Sequence, residues 1–184
     1  MNPNIFREYD IRGVYPTEIN ETVAYTIGRS YGSYLREKLN QTPCIVSYDN
    51  RISSPALAAY LTKGITDSGL NVYNYGLTTT PMHYYARFIH NLFGIMITAS
   101  HNPKDDNGFK FSFDMLSNAR GEMIEEFKNY TFAGQFLSGT GTVSSGNITE
   151  KYVEYLRYGV EFGRRKRKVI LDLGNGTTSI VARK

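Results

Sequence analysis

At its centre the chain reads Gly94-Ile95-Met96-Ile97-Thr98-Ala99-Ser100-His101-Asn102-Pro103, and it then reaches Asn107-Gly108-Phe109-Lys110. The apolar run 93–97 predicts a short buried strand, because it shows no alternation and is too short for a helix. Asn107-Gly108 is typical of a turn, and residues 109–113 alternate with aromatic side chains on one face, which predicts a second strand. A hydroxyl, an imidazole and a carboxamide follow the first strand on consecutive residues. Strand ends of open α/β sheets bind ligands, so Ser100, His101 and Lys110 form a candidate site.

The segments around this centre alternate between strand and helix patterns. Strands are predicted at Cys44–Tyr48 and Asn71–Tyr75, and helices at Asn20–Leu39, from the N-cap Ser54 to Gly69, and from Thr80 to near Asn91. This alternation indicates βαβ units, and hence a parallel sheet with helices on both faces. The link from Ser100 to Phe109 is shorter than the roughly twelve residues of a parallel crossover. We therefore predict an α/β fold with a mixed, mostly parallel sheet whose last strand is antiparallel, at or near an edge.

The C-terminal part carries fewer signals. We predict a helix after Asn118, a long loop with a short extended piece at Ala133–Asn147, a helix capped by Thr149, and a strand at Val169–Leu173. We divide the chain into a first domain at 1–147, a linker helix with a basic run at 148–168, and the start of a second domain at 169–184. The last piece is too short to bury a core, so we expect it to be poorly ordered or to pair with another chain.

Composition and charge narrow the class of protein. The chain has 184 residues and one cysteine, Cys44, which lies in an apolar run and is therefore predicted to be buried. A single cysteine cannot form a disulfide within the chain, which predicts a cytoplasmic location. Residues 1–4 resemble no signal peptide, and no apolar run approaches the roughly 20 residues of a membrane helix. The net charge of +4 depends on the run 164–168, without whose five positive charges it would be −1. We expect the protein to bind neither a membrane nor a nucleic acid. The basic run is predicted to be a solvated linker, and a nucleic-acid contact by this run is the less favoured alternative.

The segment from Phe6 to Gly13 allows two interpretations. It is too charged for a core strand and ends at a glycine, which favours a surface arm. Its two arginines and its tyrosine also suit a sugar phosphate, because guanidinium groups pair with phosphate oxygens and a phenol stacks on a sugar ring.

Three interpretations fit Ser100 and its neighbours. Nucleophilic hydrolysis would need a base aimed at the serine, but adjacent residues rarely point at each other, and the G-x-S-x-G elbow is absent. A phosphoryl carrier fits better, since a loop serine with backbone amides, a nearby lysine and distant arginines can hold a phosphate and pass it on. A capped turn without a chemical role fits equally well. His83 and His90 have no evident partner and are interpreted as ordinary helix residues.

At these residues the chain resembles a known family. Residues 98–103 followed by 107–110 resemble the active-site segment of the α-D-phosphohexomutases. Tyr9-Asp10-Ile11-Arg12-Gly13 resembles the N-terminal arm of that family, and Asp172-Leu173-Gly174-Asn175-Gly176 resembles the opening of its second domain. The opening segment 5–13 is most similar to the bacterial phosphomannomutase/phosphoglucomutase branch. The three signatures stand in the family's order and together span nearly the whole chain.

The resemblance implies a reversible transfer of phosphate between O1 and O6 of mannose or glucose phosphate, through a bisphosphorylated sugar. Ser100 matches the phosphoserine, and Lys110 matches a general acid or base of the family. The resemblance implies three catalytic residues, Ser100, Lys110 and His101. It implies three substrate-binding residues, Tyr9, Arg12 and Asn102.

The resemblance also implies a metal ion and further domains. In the family, Mg²⁺ is held by a phosphoserine oxygen, here that of Ser100, and by aspartates of a D-G-D-x-D-R loop that is not in this sequence. Hexose 1,6-bisphosphate is the implied activator. Domains II–IV of the same protein are implied to be missing, so we expect the chain alone to be inactive. A stand-alone phosphate- or sugar-phosphate-binding regulatory domain is the alternative.

Overall fold

The computed structural model describes residues 1–41, 43–115, 117–161, 163–165 and 167–182, and the elements given below belong to these residues. The strands are β1 Ile11–Val14, β2 Cys44–Tyr48, β3 Val72–Leu77, β4 Gly94–Ile97, β5 Asp106–Phe111 and β6 Val143–Ser145. The α-helices are α1 Glu21–Lys38, α2 Ser54–Asp67, α3 Thr80–His90, α4 Glu122–Ala133 and α5 Thr149–Tyr158. Short 3₁₀ helices lie at Pro3–Ile5 and Thr177–Ile180. None of the described helices is both long and apolar enough to cross a membrane.

One mixed sheet orders the strands as β1-β5-β4-β2-β3-β6. Strand β5 runs antiparallel to both of its neighbours, whereas the β4–β2, β2–β3 and β3–β6 pairs are parallel. The connection 98–105 is too short for a crossover, so β5 turns back beside β4. The predicted α/β fold, with one antiparallel strand near an edge, is confirmed. The extended piece predicted in the 133–147 loop is β6, which lies at the opposite edge.

Helices cover both faces of this sheet, as predicted. Val46 of β2 points into a core shared with α1, α2 and α4, where Tyr31 and Phe127 are fully buried. The preceding residue, Ile45, points to the other face and packs with Met82 of α3. Successive side chains of β2 therefore point to opposite faces of the sheet, one covered by α1, α2 and α4 and the other by α3.

Several local signals have the expected structural effect. The side chain of Asn20 caps α1 by accepting from the Val23 N–H at 3.0 Å. Cys44 is fully buried, and burial raises the pKa of its thiol. The predicted caps Ser54 and Thr149 are instead the first residues of their helices.

Glycines set the distance between α1 and α2. A Cβ atom added at Gly28 would overlap the Leu61 carbonyl oxygen, and one added at Gly64 would overlap the Tyr25 carbonyl oxygen. The two helix backbones are therefore in direct contact, which is possible only because glycine has no side chain at these two positions.

Two predictions about the sheet are wrong. Asn107-Gly108 lies inside β5 and forms no turn, because the buried Asn107 side chain donates to Ser53 Oγ at 2.8 Å. Gly108 instead permits the close approach of the Ile11 carbonyl, which a Cβ atom would block. Residues 11–13, predicted as part of the surface arm Phe6–Gly13, belong to the edge strand β1, because β5 offers an open pairing edge.

The C-terminal segment also differs from its prediction. Residues 169–173 form no strand, and the side chains of Val169, Ile170 and Leu171 are exposed, since no neighbouring strand is present among the described residues to bury them. The helix start predicted after them is the 3₁₀ helix Thr177–Ile180. The expected disorder or pairing of this piece, and the domain boundaries, stay predictions.

Both histidines lie in α3, as the sequence predicted, and the structure shows hydrogen-bond partners that the sequence did not reveal. His83 is buried with Nδ1 3.0 Å from Ser47 Oγ, and His90 Nε2 lies 2.6 Å from the Tyr75 hydroxyl oxygen. Burial, and to a smaller extent the charge of Arg87, lowers the pKa of His83 to about 3.

We expect His83 to make the stability of the protein depend on pH. Between about pH 6.5 and pH 3 the unfolded chain binds a proton at this residue that the folded protein does not, so the free energy of unfolding decreases as the pH falls through that window. The contribution is at most about 1.4 kcal/mol per pH unit. Urea unfolding from pH 4 to 6 should show a smaller slope for His83→Gln than for the wild type. The exposed His101→Gln is the control, and an unchanged slope in His83→Gln would contradict the prediction.

We expect Gly64→Ala to lower the free energy of unfolding by about 1–3 kcal/mol, because its methyl group forces α1 and α2 apart. The higher helix propensity of alanine is too small to offset this loss. The control is Gly159→Ala at the end of α5, where the nearest atom to the added Cβ is 3.9 Å away. That variant should stay within about 0.5 kcal/mol of the wild type in urea unfolding. Equal losses in both variants would show that the helix contact is not the cause.

Candidate active site

The loop 98–105 connects β4 to β5 at the edge of the sheet where the parallel strands end. The Thr98 N–H donates to the Gly108 carbonyl at 3.0 Å, and the Ser100 N–H donates to Thr98 Oγ1 at 2.8 Å. Ser100 has a φ of 55°, in the left-handed region that residues other than glycine rarely adopt. This backbone geometry presents Ser100 at the surface just beyond the buried strand.

Ser100, His101 and Asn102 line an open cleft of about 830 Å³, which we call the serine cleft. Ser100 Oγ lies 3.5 Å from His101 Nδ1, and both side chains are exposed. The side chains of these adjacent residues therefore approach each other, which the sequence argument did not expect. The distance is at the outer limit of hydrogen bonding, so the pair is too loose to activate the hydroxyl as a triad would.

A second cleft of about 730 Å³ adjoins the serine cleft, and Asn102 lines both. We call it the basic cleft after its three cations, Arg7, Arg12 and Lys110. Tyr9 and four carboxylates line it as well, those of Glu8, Asp10, Glu18 and Asp106. The structure thus brings all six predicted site residues to two neighbouring clefts.

The N-terminal segment presents Tyr9 at the tip of a tight turn. Phe6 and Ile11 form an antiparallel bridge, and the Arg7 N–H donates to the Asp10 carbonyl at 2.8 Å. Tyr9 is 57% exposed and lines the basic cleft, so its side chain is accessible to a ligand there.

Asp10 joins the two cations of the basic cleft. Its Oδ2 accepts from Arg12 Nη2 at 2.6 Å and from Lys110 Nζ at 2.9 Å. The Asp10 side chain is 6% exposed, so this carboxylate depends on both cations for its charge to be tolerated. The sequence indicated no role for Asp10 within the arm motif, because its partner Lys110 is 100 positions away.

Asn102 connects the loop 98–105, which we call the serine loop, to the ion pairs of Asp10. Its Oδ1 accepts from Arg12 Nη1 at 2.6 Å, and its Nδ2 donates to Asp106 Oδ2 at 2.8 Å. Arg12 Nε is buried without a hydrogen-bond partner among the described atoms. The Nε donor of this guanidinium group is therefore left unsatisfied inside the protein.

Lys110 does not lie where the sequence predicted. We expected it at the start of a strand beside Ser100, but it lies opposite Met96 within β5. The strand begins four residues earlier, at Asp106, because Asn107-Gly108 is paired and not a turn. Lys110 consequently belongs to the basic cleft and Ser100 to the serine cleft.

Arg51 is the main site residue that sequence reasoning missed. Its guanidinium group donates to the backbone carbonyls of Ser100, Asn102, Pro103 and Asp106. These partners are backbone atoms, which every sequence supplies, so no side-chain pattern could reveal the contact.

The described residues do not assemble a complete metal site. They contain no group of three or more His, Cys, Asp or Glu side chains that could hold an ion. Mg²⁺ requires about six oxygen ligands, and the implied ligand Ser100 would contribute one through its phosphate.

Comparison with known proteins identifies similar chains. Residues 3–138 match the family described as "Phosphoglucomutase/phosphomannomutase, alpha/beta/alpha domain I". The "Phosphomannomutase/phosphoglucomutase" of Pseudomonas syringae pv. tomato is 38% identical over 181 residues, which are 97% of this chain and 38% of that protein. The "Phosphoglucomutase" of Neisseria meningitidis serogroup A is 37% identical over 188 residues, covering 98% of this chain and 39% of that protein.

Solved structures show the same similarity. A phosphoglucomutase/phosphomannomutase family protein from Burkholderia thailandensis superimposes with a TM-score of 0.82 at 29% identity, over 89% of this chain and 37% of the other. A putative phosphomannomutase from Thermus thermophilus superimposes with a TM-score of 0.74 at 25% identity, over 85% of this chain and 36% of the other. The chain therefore spans less than two fifths of each of these relatives.

We expect Asp10→Asn to lower the free energy of unfolding by about 1–3 kcal/mol, because a neutral amide cannot balance both Arg12 and Lys110. Urea unfolding measures the loss. The exposed Glu8→Gln in the same turn is the control and should change stability by less than about 0.5 kcal/mol. A loss in Asp10→Asn no larger than the control would contradict the role of the shared ion pair.

Proposed function

This chain belongs to the phosphoglucomutase/phosphomannomutase family, and from that premise we propose that it carries the phosphoserine of a phosphohexomutase acting on mannose or glucose phosphate. The observation that chiefly supports the proposal is the position of Ser100. Its hydroxyl is exposed at the serine cleft, on a left-handed residue directly beyond a buried strand. A phosphoryl carrier needs such an accessible hydroxyl on a fixed backbone.

We propose further that the chain works as the first domain of a longer polypeptide. It spans 38–39% of its curated relatives, so most of their length has no counterpart here. The basic cleft is lined by three cations, two of them already engaged by Asp10, and by four carboxylates, which is little positive charge for a transferred phosphoryl group. On this argument the chain alone is inactive as a mutase.

In the proposed reaction the Ser100 phosphate passes to a free hydroxyl of a hexose phosphate. The bond between phosphorus and Ser100 Oγ breaks as the bond between phosphorus and the sugar oxygen forms. The sugar hydroxyl loses its proton to a base, and Ser100 Oγ takes up a proton. The resulting bisphosphate returns its other phosphoryl group to Ser100 by the reverse step, so phosphate moves between O1 and O6.

Lys110 and His101 are the proposed proton-transfer groups. His101 Nδ1 lies 3.5 Å from Ser100 Oγ, so a small rotation brings it within reach of that proton. The Lys110 ammonium group is oriented by Asp10 at 2.9 Å and faces the basic cleft, where it would also offset developing negative charge.

Tyr9, Arg12 and Asn102 are the proposed substrate-binding residues. Arg12 lines the basic cleft with a side chain that is 21% exposed, so its guanidinium group can bind a phosphate or hydroxyl oxygen there. The exposed ring of Tyr9 would stack on the sugar. Hexose 1,6-bisphosphate would act as activator, because it can phosphorylate Ser100 directly.

Mg²⁺ enters the proposal only as a cation that the Ser100 phosphate would help to bind. When bound it would neutralise phosphate charge. Its other ligands would come from outside the described residues, and no step above depends on it.

We expect Ser100→Ala to abolish covalent phosphorylation while leaving the fold intact, since losing one exposed hydroxyl costs at most about 1 kcal/mol. The complete gene product is incubated with a hexose 1,6-bisphosphate and its intact mass is measured. Wild type and Lys110→Ala should gain one phosphoryl mass. Lys110→Ala should turn over about 10²–10⁴-fold more slowly, because it loses a cation and a proton-transfer group.

Ser144→Ala, an exposed serine on β6, is the matched control and should be labelled like the wild type. Labelling of Ser100→Ala at the wild-type level would refute the phosphoserine assignment. Binding of hexose phosphate without labelling of the wild type would favour a regulatory binding domain instead.

A further inference from the structure

Arg51 follows β2 and is surrounded by the serine loop. Its Nη1 donates to the carbonyls of Pro103 at 2.6 Å and Asp106 at 2.9 Å. Its Nη2 donates to the carbonyls of Ser100 at 3.0 Å and Asn102 at 2.9 Å. One planar group thus binds three carbonyl oxygens of the loop and that of Asp106 at the start of β5, as a bound cation would.

The position of Arg51 is itself fixed. Its side chain is 10% exposed, and its Nε lies 3.3 Å from Asp49 Oδ2. The other oxygen of Asp49 accepts from the Arg51 N–H at 3.1 Å and from the Ser54 hydroxyl at 2.7 Å. The start of α2 and the end of β2 therefore hold the guanidinium group in place.

These contacts act on the backbone of Ser100. Its N–H is held by Thr98 Oγ1 and its carbonyl by Arg51, so both peptide groups that define its left-handed conformation have partners. The carbonyl oxygens of the loop face the guanidinium group, which keeps their partial negative charges directed toward Arg51. A phosphate on Ser100 would otherwise be repelled by such oxygens.

We infer that Arg51 is a positioning residue for the phosphoryl carrier: it orders the serine loop and holds Ser100 in the conformation from which phosphate is transferred. The inference rests on the proposed function. Arg51 acts through the loop backbone, so its loss should reduce turnover and leave substrate affinity nearly unchanged.

The chain offers a matched control in Arg87. Arg87 is also buried and also holds a loop through backbone carbonyls, those of Asp114 at 2.9 Å and Ser117 at 3.3 Å. It lines neither the serine cleft nor the basic cleft. Arg51→Lys and Arg87→Lys each replace a planar fork by a single ammonium group.

The first test measures order in the chain itself. Amide exchange by NMR should accelerate at least about tenfold at Ser100, Asn102 and Asp106 in Arg51→Lys, because these N–H groups donate within the loop. Arg87→Lys should leave their exchange at the wild-type rate. Should Arg51→Lys fail to fold, Asp49→Asn keeps the arginine but loosens it, and the same three amides should exchange faster.

The second test measures kinetics in the complete gene product. Arg51→Lys should lower kcat at least about tenfold with KM changed less than about threefold, whereas Arg87→Lys should keep both near wild type once corrected for folded fraction. The inference would be overturned if the loop amides of Arg51→Lys exchanged at the wild-type rate, or if kcat fell no more in Arg51→Lys than in Arg87→Lys. If the wild type has no mutase activity, the proposed function fails, and the exchange rates alone decide whether Arg51 orders the loop.

Discussion

The shortness of the 98–105 connection determines the layout of this protein. A link of that length cannot cross the face of the sheet, so β5 returns antiparallel beside β4. Its outer edge is then available for β1, which pairs with it. As a result Arg12 on β1 lies beside Lys110 on β5, and both lie near the serine loop.

The site depends on buried polar groups that each serve several partners. Asp10 binds two cations with one oxygen, Asn102 binds both Arg12 and the end of its own loop, and Arg51 binds four carbonyls. Such shared groups hold a loop without apolar packing, because an unpaired buried charge is far more costly than a paired one. This explains how a polar segment at the edge of the sheet keeps one conformation.

The fold was largely predictable because its signals are local. The helix cap at Asn20, the apolar strand Cys44–Tyr48 and the helix end near Asn91 each depend on a few neighbouring residues. Predictions failed where a distant segment changed the outcome: Asn107-Gly108 is a strand because Ser53 binds its side chain, and Ile11–Val14 is a strand because β5 offers an edge. Residues 169–173, with strand propensity but no neighbour among the described residues, form no strand.

The sequence by itself determined the alternation of elements and the reversal of β5, since these follow from periodicity and loop length. It also named the candidate residues from Tyr9 to Lys110, through their side-chain chemistry and their resemblance to the family. Only the tertiary structure decided which of them meet. It divided them between two clefts, paired Lys110 with Asp10, and placed Arg51 at the centre of the serine loop. The reason is physical: hydrogen bonds to backbone carbonyls and contacts between residues about a hundred positions apart leave no periodic trace in a sequence.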